Sequence, residues 1–157
     1  MKKATIIIPV YNEAKVITAC LESLNNQSYL NTDVIVVDDG STDKTVKIIL
    51  NLKSQILNLK LLRQQHKGPG SARNLGASKA TGEILVFVDA DMTFDKNFIK
   101  KLIDPINLGK SIGTFSRDEF VANYNNVWSL CWNINRNLPN NRMLPENYPD
   151  TAPVFRA

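Results

Sequence analysis

Residues 84–94 read ILVFVDADMTF. Ile84 to Val88 are five apolar residues rich in Val and Ile, the composition of a buried strand, and two carboxylates, Asp89 and Asp91, follow one residue apart. Paired negative charge at the end of a hydrophobic strand calls for a physical reason, and the surrounding pattern supplies one.

Short aliphatic runs recur along the chain at Thr5–Val10, Val34–Asp38, Leu59–Arg63 and Ile84–Asp89, each with the look of a strand. Between them the apolar period becomes helical: Ile17, Cys20, Leu21 and Leu24, then Val46, Ile49 and Leu50, then Ala72, Leu75, Gly76 and Ala80. Helix starts are expected at Ser41 or Thr42, at Pro69, and after Asp95; Asp43 is read as a first-turn acid. Strands separated by single helices pair in parallel through right-handed crossovers. The chain is therefore expected to be α/β, with a doubly wound, mostly parallel sheet flanked by helices in the Rossmann-like manner.

Composition agrees with one globular domain. The 157 residues are 43% hydrophobic and 22% charged, which excludes a disordered segment. The net charge of +4 is spread along the chain and gives no footing for nucleic acid. Cys20 and Cys131 lack metal-ligand spacing and fall in helical patterns, so reduced, buried thiols and a reducing cytosol are expected. No run approaches the roughly 18 apolar residues of a membrane span, and Pro9 interrupts the opening "MKKATIIIPV" too early for an export signal.

After Pro105 the rhythm fails. "SIGTFSRDEFV" has strand character, Val127 to Leu138 have helical spacing, and Pro139–Pro153 reads as a loop. "PVFRA" looks like the start of a strand, so a domain truncated within an element is expected. The helix with Trp128, Cys131 and Trp132 is read first as a packing element at a subdomain or subunit contact, with an acceptor or membrane-surface role as the other reading.

In open parallel sheets, ligands bind beyond the carboxyl ends of the strands. The runs end in "PVYNE", "VVDDGSTD" and "VDADM", so Glu13, Asp38, Asp39, Asp89 and Asp91 are expected on one rim. Asp is also a turn former at such places, yet five acids together repel one another. Oxygen donors of this kind suit a hard cation, Mg²⁺ or Mn²⁺, whose open positions phosphate oxygens can fill. "HKGPGSARNLG" opens the third helix with small residues able to approach an anion, and Arg73 one turn in faces either the crevice or solvent. His66, the only histidine, lies in a loop and is assigned no role.

"TIIIPVYNEAKVITACLESLNNQ", "VIVVDDGSTDKT" and "GPGSARNLGASKATGEILVFVDADM" together resemble the nucleotide-sugar-binding half of family 2 glycosyltransferases, inverting enzymes of the GT-A fold, from about Ala4 to Phe94. The resemblance implies that Pro9 and Tyr11 lie against the nucleotide base with Glu13 beside them, that Asp39 hydrogen-bonds the base while Asp38 places the turn, and that Arg73 lies near base or diphosphate. It makes Asp89-Ala90-Asp91 the metal motif: Asp89 toward ribose or metal, Ala90 touching the nucleotide through its backbone, and Asp91 ligating Mn²⁺ or Mg²⁺.

It further implies a UDP- or GDP-linked sugar donor and a sugar or lipid-linked acceptor. The setting implied is polysaccharide or cell-envelope synthesis in the cytoplasm or at the inner membrane face, with peripheral membrane contact. Residues 4–105 would form the nucleotide-sugar part and 106–157 the start of the acceptor part. The family's general base, an Asp downstream of the metal motif, has no matching frame among Asp118, Glu119, Glu146 and Asp150, and is expected past Ala157.

A phospho-receiver domain needs an acid pair after the first strand and a lone Asp after the third; "PVYNE" and "RQQHKG" supply neither. A nucleotidyltransferase needs a Gly-rich loop with Lys after the first strand, which is also absent. A non-catalytic nucleotide-sugar-binding module, or an inactive fragment of a longer transferase, is the remaining alternative.

Overall fold

The computed structural model describes residues 1–56 and 58–116, together with two short strands at 119–121 and 154–156. Strand β1 (Ala4–Val10) leads to helix α1 (Ile17–Asn25), β2 (Thr32–Asp38) to α2 (Thr45–Leu52), and β3 (Leu59–Arg63) to α3 (Pro69–Ser78). Strand β4 (Ile84–Phe87) is followed by β5 (Met92–Phe94), α4 (Phe98–Asn107), β6 (Glu119–Val121) and β7 (Val154–Arg156). The first four strands form a parallel sheet in the order β3-β2-β1-β4. The chain thus winds one way from β1 through β2 to β3, then crosses back to place β4 on the other side of β1. This is the doubly wound arrangement expected from the periodicities, and its switch point opens a crevice between β1 and β4. β5, β7 and β6 form a second, small sheet, with β7 antiparallel to β5 and parallel to β6.

Alternation along the strands serves both faces of the main sheet. Ile6, Ile8, Val34 and Val36 share a core with Ile17, Leu21 and Leu24 of α1 and with Phe98, Ile99 and Ile103 of α4. Ile35 and Val37 point the other way, onto Ala72 of α3. Helix α3 can lie that close because Gly76 faces the sheet: a Cβ there would stand 2.5 Å from Ile7 Cγ2 and 3.2 Å from Val37 Cγ2. Cys20 is buried as expected, and burial, with Asp91, Asp89 and Glu13 adding to it, pushes its thiol up to about 12.

At the opposite end of the sheet from the strand carboxyl ends, the buried Asp33 accepts from Thr5 Oγ1 at 2.6 Å and Thr81 Oγ1 at 3.1 Å and pairs with Lys3 Nζ at 3.2 Å. Burial works to raise its pKa, but the donors Thr5, Lys3 and Thr81 outweigh it and hold the carboxyl below its ordinary 3.8.

Several expectations are corrected. Strand β4 ends at Phe87 and is buried on one face only, with Leu85 42% and Phe87 49% exposed. Helix α3 packs on β1 and β2, leaving that face of β4 uncovered among the described residues. Leu50 is exposed because the inward face of α2 runs through Thr45 and Ile49, flanked by Ile48 and Leu52. Neither Ser41 nor Thr42 starts α2; its flanking residue is Lys44, and Asp43, ahead of the helix instead of in its first turn, accepts from Thr45 N at 2.9 Å. Helix α4 runs through Pro105 to Asn107, past the break expected there. Of "SIGTFSRDEFV" only Glu119–Val121 is strand. β7 stands where "PVFRA" was expected to begin one. The helix of Trp128, Cys131 and Trp132, the 139–153 loop, and Asp118, Glu146 and Asp150 lie outside the described residues.

Candidate functional site

The loops that leave the carboxyl ends of β1, β2 and β3 are tied together by side chains. Asn12, in the left-handed region at φ 57°, accepts from Thr42 N at 2.8 Å through its Oδ1, while its own N–H donates to Ser41 Oγ at 3.0 Å. Asp43 Oδ2 accepts from Ala14 N at 3.2 Å. A short polar side chain that tolerates positive φ is what this turn requires, which explains Asn within "PVYNE".

Beyond the strand ends lies a cleft of about 410 Å³. Pro9, Tyr11 and Glu13 enter it after β1, Asp39 after β2, Arg73 from α3, and Asp89, Ala90 and Asp91 after β4. Four of the five acids therefore meet on one rim. Asp38 is the exception: fully buried outside the cleft, it accepts from Ser41 N at 3.1 Å and pairs with Arg63 Nε at 3.1 Å, holding the turn.

Asp39 is anchored more heavily than its motif suggests. Its Oδ1 accepts from Gln64 Nε2 at 2.6 Å and Lys67 N at 2.9 Å, and its Oδ2 from Gly68 N at 2.8 Å and His66 Nδ1 at 2.8 Å. Burial acts to raise its pKa, but the bonds from Gln64, Lys67 and Gly68 and the facing His66 prevail and keep it below 3.8. Four donors fill the acceptor sites of a carboxylate. In the free chain Asp39 therefore fixes the loop between β3 and α3, and a nucleotide base could reach it only by replacing one of those donors.

Arg73 resolves toward the crevice: its guanidinium meets Asp89 Oδ1 at 2.6 Å. Glu13 is held above its ordinary 4.5, first by burial and then by Asp91, Asp43 and Asp89. Burial is the larger part of that rise; the part due to Asp91, Asp43 and Asp89 registers negative potential that a bound cation would relieve. Among the described residues no three His, Cys, Asp or Glu side chains converge as a closed metal cage. What Asp89 and Asp91 offer is an open, oxygen-only donor set, which fits a hard divalent ion that draws its remaining ligands from phosphate and water.

His66 is the residue that sequence reasoning missed. Its ring stacks on Tyr11 with centroids 4.2 Å apart and planes at 29°, and it lines the cleft. The rule that directs attention to strand carboxyl ends applies to β3 as much as to the acid-bearing strands, and would have placed it here.

An open, doubly wound parallel sheet with an aromatic ring, a guanidinium and clustered carboxylates at its switch point has the GT-A architecture. The glycosyl transferase family 2 model matches residues 5–157, and the chain belongs to that family of enzymes. The match runs well past Phe94, where the motif resemblance fades. Glycosyltransferase GlyA of Streptococcus pneumoniae is 32% identical over 122 residues, 78% of this chain and 17% of the relative. The crystal structure of Staphylococcus aureus TarS 1–349 in complex with UDP-GlcNAc is 34% identical with a TM-score of 0.64, over 76% of this chain and 34% of that one; TarS is a poly(ribitol-phosphate) beta-N-acetylglucosaminyltransferase. Mannosyltransferase PcManGT of Pyrobaculum calidifontis, solved with GDP-Man and Mn²⁺, is 26% identical with a TM-score of 0.63, over 83% of this chain and 39% of that one. The chain thus spans well under half the length of these relatives. Among the described residues, no helix is long and apolar enough to cross a membrane.

Proposed function

We propose that this chain binds a UDP- or GDP-linked sugar in the cleft beyond β1 and β4 and serves the metal-dependent, inverting transfer of that sugar to a hydroxyl of a sugar or lipid-linked acceptor. The observation that carries this reading is the meeting of Tyr11, Arg73, Asp89 and Asp91 in one cleft from three separate elements. The ligands of the solved relatives, UDP-GlcNAc and GDP-Man with Mn²⁺, support the donor class. Residues 4–105 form the donor part on this reading, and 106–157 begin the acceptor part.

Each side chain has a physical task. Tyr11 offers an aromatic face to the base. Arg73, already drawn to Asp89, is placed to share its donors with a phosphate oxygen and to balance the charge that builds as the glycosidic bond breaks. Asp91 and Asp89 would hold Mn²⁺ or Mg²⁺, and the bound ion would act as a Lewis acid on the diphosphate leaving group. Inversion requires a base on the acceptor side, and no described residue of the cleft is assigned that role.

Calorimetric titration of UDP and GDP, with and without Mn²⁺, tests the reading. Binding of one nucleotide is expected to require the ion and to be lost in Asp91→Ala. Failure of both nucleotides to bind, or binding indifferent to the ion and to Asp91, would overturn it.

A further inference from the structure

Beside its acids the cleft holds a feature the donor reading does not use: the contact of His66 with both Tyr11 and Asp39. Nδ1 of His66 lies 2.8 Å from Asp39 Oδ2 and 3.1 Å from the Asp39 carbonyl oxygen. An ionised carboxylate only accepts, so Nδ1 carries the hydrogen and donates it. The imidazole is therefore a planar ring stacked on Tyr11 that gives an in-plane ring N–H to Asp39. A nucleobase with a ring N–H, such as uracil or guanine, would make those same two contacts. Stacked at 4.2 Å, the Tyr11 and His66 rings leave no space for a third between them.

The backbone around His66 is fixed independently of its ring. Lys67 N and Gly68 N, immediately after it, donate to Asp39. Gly40, at φ 82°, lies so close that an added Cβ would stand 3.0 Å from His66 N. The ring itself is 56% exposed, with open solvent to turn into. Rotation about its side-chain bonds would free one face of Tyr11 and one lone pair of Asp39 while the loop stays anchored.

We propose that His66 is a resident occupant of the base subsite, an internal competitor that fills it in the free chain and swings out when a nucleotide enters. The proposal rests on the donor-site reading above. It makes His66 a determinant of affinity: the closed rotamer lowers the fraction of chains competent to bind, and the apparent dissociation constant rises in proportion. It also favours bases that carry a ring N–H over adenine, whose ring nitrogens at the pairing edge only accept.

One histidine in 157 residues makes the test direct, because its ring protons give one set of NMR signals. In the free chain they are expected upfield, shielded by Tyr11, and to move to the position of a solvated imidazole as UDP or GDP saturates the site with Mg²⁺ present; ADP is expected not to move them. In calorimetry, His66→Ala is expected to bind the effective nucleotide about 5- to 150-fold more tightly, the worth of one stack and one hydrogen bond. Weaker or unchanged binding by His66→Ala, or a histidine signal that stays shielded in the saturated wild type, would overturn the proposal and leave the donor reading standing. Absence of binding by both the wild type and His66→Ala would overturn both.

Discussion

Replacing Arg73 by alanine separates a binding role from a structural one. The Arg73–Asp89 pair is short at 2.6 Å, but the two side chains are 36% and 37% exposed. A pair so open to water is screened, and its loss is worth about 0–1 kcal/mol of stability. The cost to binding is larger. A charge-assisted hydrogen bond to a phosphate or base is worth about 1.5–3 kcal/mol, which corresponds to about 10- to 150-fold in affinity. Among the described residues no other Arg and no Lys lines the cleft, where Glu13, Asp39, Asp89 and Asp91 remain. Arg73→Ala is therefore expected to shift the urea midpoint by an amount equivalent to no more than about 1 kcal/mol while weakening UDP or GDP binding by at least tenfold in the presence of Mn²⁺. Parallel titration of the nucleoside divides the loss: a diphosphate contact spares nucleoside binding, whereas a base contact weakens both. A stability loss well above about 2 kcal/mol would mark Arg73 as a brace between α3 and the turn after β4, and unchanged binding would remove it from the donor site; either result refutes the reasoning.

Gly76→Ala tests the close seat of α3. Its new methyl, 2.5 Å from Ile7 Cγ2 where about 3.5–4.0 Å is comfortable, costs about 1–3 kcal/mol of overpacking against a helix-propensity gain of up to about 1 kcal/mol, so net destabilisation in urea is expected and a more stable variant would contradict the packing. Acid stability tests the two anchored carboxylates. Asp33 and Asp39 both sit below 3.8 in the native state, so their stabilisation is complete above about pH 4–5 and is lost as pH falls through the lowered native values. Denaturation midpoints measured from pH 6 to pH 3 are expected to fall at the acid end, with a shallower fall in Asp33→Asn; an acid limb of unchanged slope in that variant would contradict the assignment.

The fold was legible because its signals are local. Two faces of a parallel sheet must be covered, so β1 and β2 are apolar at consecutive positions, and α1 and α3 carry their apolar residues at helical spacing. The four strands and three crossovers follow from that pattern alone. What failed depended on partners distant in the chain. The identity of ILVF says nothing about what lies over Leu85 and Phe87, and the period of α2 is too short at eight residues to place Leu50. The Asp33 network joins β1, β2 and the turn before β4, and none of its members stands out by type or spacing.

The site was legible to the same degree and for the same reason. Strand ends announce Glu13, Asp39, Asp89 and Asp91 because acids after apolar runs are conspicuous, but Asp38 has the same signature and turns inward to Arg63. Neighbours in sequence thus separate by a peptide unit into a turn anchor and a cleft acid, a distinction fixed by strand alternation, which sends consecutive side chains to opposite sides. Asp39 carries the greater consequence. The residue the motif offers to a base already holds Gln64, His66, Lys67 and Gly68, so the interactions that order the loop before binding are those a nucleotide must partly replace. Its two backbone donors cannot leave without moving the start of α3, whereas Gln64 and His66 can each leave by rotating a side chain. Of these two side-chain exchanges at Asp39, only that of His66 also uncovers Tyr11.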